Sequence, residues 1–161
     1  MIYFSETQKF KQWWIWLIFL LPLIAIVDSY PNNGFDMDTL WGSGIGISIV
    51  ALIALLLFSL KLKTEITDIG IGYKFNLFHT KMNVIKWEDI SECFVREYKP
   101  LWEYGGWGLR YTIRNGKAFN TMGNKGLQII LKDGSKVLVG TQKSEDIETV
   151  LVQLKNLNII K

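Results

Sequence analysis

The sequence predicts two parts. The first is a membrane α-helical hairpin at the N-terminus. The second is an α+β cytoplasmic domain, a bent antiparallel β-sheet or partly open barrel of about seven strands closed by one C-terminal helix. Three observations predict this. Residues 39–60, TLWGSGIGISIVALIALLLFSL, hold no charged side chain. Short alternating segments separated by Asn-Gly and Asp-Gly pairs fill residues 64–141. An apolar stripe at helical spacing closes the chain.

The expected division is residues 1–62 for the hairpin, with helices at about 12–30 and 39–60, and 63–161 for the domain. About 20 apolar residues at 1.5 Å rise match a hydrocarbon core about 30 Å thick. The earlier stretch, Gln12 to Val27, is uncharged and reaches Tyr30 at the cost of Asp28. Trp13, Trp14 and Trp16 suit a water–lipid boundary, and Pro22 would kink the helix. A cleaved signal peptide is the rival reading, from Lys9 and Lys11 before an apolar run. Three Trp in the run and the poor cleavage motif Ala25-Ile26-Val27 oppose it. Lys9 and Lys11 precede the hairpin, Lys61 and Lys63 follow it, and the intervening loop DSYPNNGFDMD has three Asp and no base. Basic residues stay on the cytoplasmic side, so both termini are expected there. Gly42 and Gly46 form a G-x-x-x-G pair, repeated by Gly44 and Ser48. Such spacing lets helices approach closely, either within the hairpin or in a homo-oligomer.

The domain reads as strands in order. Thr64–Thr67 is followed by a turn at Asp68-Ile69-Gly70. Gly72–Phe78 places Tyr73, Phe75 and Leu77 on one face. Val84–Trp87 and Ser91–Tyr98 flank a turn at Glu88-Asp89. Leu109–Arg114 and Lys117–Asn120 flank Asn115-Gly116, a tight-hairpin signal. Leu127–Lys132 and Lys136–Thr141 flank Asp133-Gly134. Ser144 is placed to cap the final helix, with Glu145 and Asp146 in its first turn. Ile147, Val150, Leu151, Leu154 and Leu157 make its apolar stripe, which needs a sheet to bury against.

The chain has 18 basic and 15 acidic residues. Two Lys and four acids lie in the first 60, so the remainder carries a balance of +5. Much of this base falls in segment 99–126, KPLWEYGGWGLRYTIRNGKAFNTMGNKG, which has a single acid, Glu103. Glycines let backbone approach an anion, and arginines add fork-shaped donors. Arg110, Arg114, Lys117 and Lys125, with Trp107 beside them, are therefore the candidate ligand-binding residues. The competing reading is a loop whose glycines serve turns and whose aromatics fill a small core.

The runs IKWEDI (85–90), YGGWGLRY (104–111), GKAFNTMGNKGLQIIL (116–131) and VLVGTQKSEDIETVL (137–151) resemble the bacterial pleckstrin-homology-like membrane proteins. In these, membrane helices precede such a domain. The resemblance covers residues 61–158. It implies a ligand- or protein-binding module on the inner membrane. The first-hairpin loop Asp68-Ile69-Gly70-Ile71-Gly72 has no base, which departs from phosphoinositide-binding members.

Catalytic groups are scarce. His79 and Cys93 are single, and no spacing supports a metal site. Cys93 alternates with charged neighbours and reads as a small packing residue. No cofactor is expected. The expected function is a membrane-tethered, non-catalytic interaction module that binds a protein partner, an anionic ligand or a lipid head group. An accessory subunit of a lipid-acting membrane enzyme or transporter is the alternative.

Overall fold

A computed structural model describes residues 1–10, 20, 24, 37–76, 78 and 80–160. Along the chain come β1 (Ile2–Lys9), α1 (Met37–Ser59), β2 (Lys61–Thr67), β3 (Gly70–Phe75) and β4 (Asn83–Lys86). A 3-10 turn (Trp87–Asp89) leads to β5 (Ile90–Glu97), α2 (Pro100–Tyr104), β6 (Gly108–Thr112), β7 (Gly116–Asn120), β8 (Lys125–Leu131), β9 (Lys136–Gly140) and α3 (Ser144–Asn156). Two compact units result: Met1–Phe10 with Leu60–Lys161, and Lys11–Ser59.

In the first unit the strands form two sheets, ordered β1-β2-β3-β4 and β5-β8-β9-β7-β6. Every pairing is antiparallel except β7 with β9, where Lys117 lies beside Val137. This corrects the expected fold. Among the described residues nine strands lie in two sheets of four and five, with no closed barrel, so the pleckstrin-homology-like arrangement is not supported. The chain leaves the first sheet at β4 and enters the second at β5 through the 3-10 turn.

β1 was not legible by alternation. Its inward residues are Phe4, Glu6 and Gln8, so the buried face of the strand is mostly polar. It pairs with β2 in the register Glu6–Thr64 and Gln8–Leu62. The polar side chains find partners on the other sheet. Gln8 Nε2 donates to the Gly140 carbonyl at 2.6 Å, and Thr121 Oγ1 donates to Gln8 Oε1 at 3.0 Å. Buried polar groups are tolerated when so paired. The apolar core comes from both sheets: Leu62, Ile66, Ile71 and Phe75 from one, Leu127, Ile129 and Val139 from the other. Tyr73 and Phe119 join the sheets with ring centroids 4.5 Å apart.

α3 buries Ile147, Val150, Leu151 and Leu154, while Leu157 is exposed. Ser144 does not cap it. The residue before its first turn is Lys143, without a side-chain cap. Thr141 Oγ1 instead accepts the Lys143 N–H at 2.9 Å.

In the second unit, α1 exposes Trp41, Ile45, Ile49, Leu52, Leu55 and Phe58. Among the described residues no helix is long and apolar enough to cross a membrane. This corrects the expected transmembrane hairpin, and with it multi-pass placement in an inner membrane with both termini cytoplasmic. The expected first helix, apart from Leu20 and Ile24, lies outside the described residues, as do its aromatic residues, the acidic loop up to Asp36, and His79. Around Gly42, Gly44 and Gly46 an added Cβ would meet nothing within 4 Å.

Candidate anion-binding cleft

A cleft of about 460 Å³ opens at the end of the first unit where β3 and β4 face the β6–β7 hairpin. Tyr73 and Ile85 line one side. Tyr111, Arg114 and Lys117 come from the hairpin, and Ser135 and Lys136 from the β8–β9 turn. Among the described residues no Asp or Glu lines it.

Local structure explains how these cations meet. Tyr111 and Lys117 are cross-strand partners in the β6–β7 ladder, as are Thr112 and Gly116. Gly116 has φ 76°, the left-handed region that the Asn-Gly turn requires. A Cβ there would lie 2.1 Å from the Lys136 carbonyl oxygen. Glycine thus lets the hairpin close onto the start of β9, and the parallel β7–β9 pairing carries Lys117 beside Val137.

The turn that carries Arg114 is fastened from α2. Asn115 N donates to Thr112 Oγ1 at 3.2 Å, Asn115 Nδ2 to the Glu103 carbonyl at 3.0 Å, and the Tyr104 hydroxyl to the Asn115 carbonyl at 3.3 Å. α2 is in turn pinned to the second sheet. Arg96 reaches Glu103 Oε2 at 2.8 Å and Gln128 Oε1 at 3.0 Å. Burial alone would raise the Glu103 carboxyl, but the Arg96 hydrogen bond and the Lys99 N–H hold it below its usual range.

Arg114, Lys117 and Lys136 are exposed at the cleft mouth, and none forms an ion pair among the described residues. The backbone amides of the adjoining turn are already used. Gly134 N donates to the Leu131 carbonyl, and Ser135 N to Asp133 Oδ1 at 2.9 Å. The Ser135 hydrogen bonds keep the Asp133 carboxyl below its usual range. Anion donors here are therefore side chains: one guanidinium fork and two ammonium groups.

Of the sequence-derived candidates, the cleft gathers Arg114 and Lys117. It does not gather Arg110, Trp107 or Lys125. Arg110 Nε donates to the Trp107 carbonyl at 3.1 Å, and Trp107 Nε1 donates to the Gly123 carbonyl at 2.9 Å. Lys125 starts β8 across from Glu97. Lys136 was missed, because only the non-local β7–β9 pairing brings it near the hairpin.

A second groove, about 630 Å³, places Cys93 with Glu88, Glu92, Lys132 and Lys155. Burial pushes the thiol pKa up; Glu92 adds to this and Lys155 opposes it. The thiolate, the nucleophilic form, is thereby disfavoured. No group of His, Cys, Asp and Glu suited to a metal ion occurs among the described residues.

No protein-family model matches the chain, and no curated protein matches it. The family resemblance read from residues 61–158 thus has no support.

Proposed function

We propose that the chain is a non-catalytic binding module that takes an anionic group in the Arg114–Lys117–Lys136 cleft. One observation carries this reading: three cations from two stretches of sequence converge on a cleft with no carboxylate among the described residues of its lining. Lysine and arginine left without partners retain their full attraction for a phosphate or carboxylate, and the concave wall weakens screening by solvent. The Arg114 fork supplies orientation, and the two lysines supply charge.

Calorimetric titration of the full chain with inorganic pyrophosphate tests it. The triple substitution Arg114→Gln, Lys117→Gln and Lys136→Gln should weaken binding by about 100-fold, from the loss of three charge-assisted contacts. Arg110→Gln with Lys125→Gln should change it little. Equal effects from both sets would favour a diffuse surface charge and reject the cleft.

A further inference from the structure

The cleft alone would suit any small anion, but its rim is unusual for that purpose. Tyr111 is 70% exposed and Ile113 is 98% exposed. Leu109 is on the same strand face as Tyr111, two residues away, and is also exposed. Leu109 and Tyr111 belong to β6, the last strand in the order β5-β8-β9-β7-β6, and Ile113 lies in the turn that follows it. Among the described residues β6 pairs with β7 alone, so its outer ladder edge is open. Unpaired strand edges accept another strand. Arg110, on this edge, is held aside by its bond to the Trp107 carbonyl.

The geometry points to an extended acidic peptide as the occupant. It would add a strand to the β6 edge and lay apolar side chains on Leu109 and Tyr111. A carboxylate would then reach the cleft cations. This inference rests on the proposed anion-binding function and names its partner. Charge complementarity favours it, because the edge and the cleft together offer Arg114, Lys117 and Lys136 without a carboxylate in the lining. A lipid head group would engage the same cations but has no use for a row of backbone N–H and C=O groups. Strand addition supplies affinity through main-chain hydrogen bonds and specificity through alternate side chains.

The test uses the purified full chain and four probes. They are a capped peptide of alternating Val and Glu about eight residues long, the same peptide N-methylated at alternate residues, inorganic pyrophosphate, and phosphatidylglycerol-containing vesicles. The unmodified peptide should bind and slow amide hydrogen exchange at Leu109–Thr112. N-methylation should weaken it by at least about tenfold, since it removes ladder donors while keeping charge. Pyrophosphate should bind without slowing exchange on β6. Equal binding of the methylated peptide overturns the inference. So does binding of vesicles or pyrophosphate with none of the peptide, an outcome that leaves the anion-binding reading standing. Failure of all four probes rejects both.

Discussion

The Glu6 carboxylate accepts the Thr141 hydroxyl at 2.7 Å, across 135 residues of sequence. Its second oxygen accepts the Gln142 N–H at 3.0 Å. Glu6 is buried on β1, and its partners lie where β9 hands over to α3. One side chain therefore sews the first strand to the far end of the chain. Glu6→Ala would leave the buried Thr141 O–H donor and the Gln142 N–H without their acceptor, at about 1–3 kcal/mol. Thermal unfolding should show a fall of several degrees, with Glu6→Gln falling less. An unchanged midpoint in Glu6→Ala would deny β1 its structural role.

Thr64 makes the opposite case. It is 1% exposed, and its hydroxyl has no hydrogen-bond partner among the described residues. It lies across from Glu6 on one side and Tyr73 on the other. A buried hydroxyl without a partner is costly, and valine has the same shape without it. Thr64→Val should stabilise the fold by about 1 kcal/mol, measured by chemical denaturation. Destabilisation would reveal a partner for that hydroxyl.

Tyr98 is buried beneath α2 and accepts a hydrogen bond from Asn120 Nδ2 at 2.9 Å. Burial pushes its phenol up to about 12. A raised folded value means that its contribution to stability is complete below pH 10, the ordinary tyrosine range. The contribution is lost as pH rises towards 12. Burial also raises Tyr73 and Tyr104, so ultraviolet titration at the phenolate band should show a delayed ionisation whose latest part Tyr98→Phe removes. Titration of every tyrosine near pH 10 in the folded protein would contradict this placement.

The Arg96–Glu103 pair gives the acid limb. Glu103 is held below its usual carboxyl value, so its contribution is present above the ordinary carboxylate range. It disappears as pH falls through the lowered folded value. Stability curves of wild type and Glu103→Gln should therefore converge at acid pH and separate near neutrality. Parallel curves across the whole range would show that the pair contributes nothing.

Gly116 ties the fold to the cleft. Gly116→Ala combines an unfavourable positive φ with a clash against the Lys136 carbonyl. It should cost at least about 1–3 kcal/mol and weaken anion binding as well. Loss of stability with unchanged affinity would separate the hairpin closure from the site.

The strands that alternate cleanly and the turns Asn115-Gly116 and Asp133-Gly134 could be read from local chemistry, because each signal lies within a few residues. The stripe of α3 was legible for the same reason, down to Leu154. β1 was hidden because two of its three buried side chains, Glu6 and Gln8, are polar and find their partners more than 100 residues away. The uncharged run at 39–60 gave a membrane expectation from composition alone, and the described helix does not sustain it. The basic segment 99–126 was grouped by proximity in sequence. The fold splits it, sending Arg114 and Lys117 to the cleft while Arg110 and Trp107 bond locally, and it adds Lys136 through a parallel pairing that no local pattern encodes.

The most direct test of the central claim is amide chemical-shift mapping of the full chain as pyrophosphate is added. Shifts should concentrate at residues 111–117 and 134–137 and vanish in the Arg114→Gln, Lys117→Gln, Lys136→Gln variant. Shifts centred on Arg110, Lys125 or the Cys93 groove, with the cleft unmoved, would contradict it.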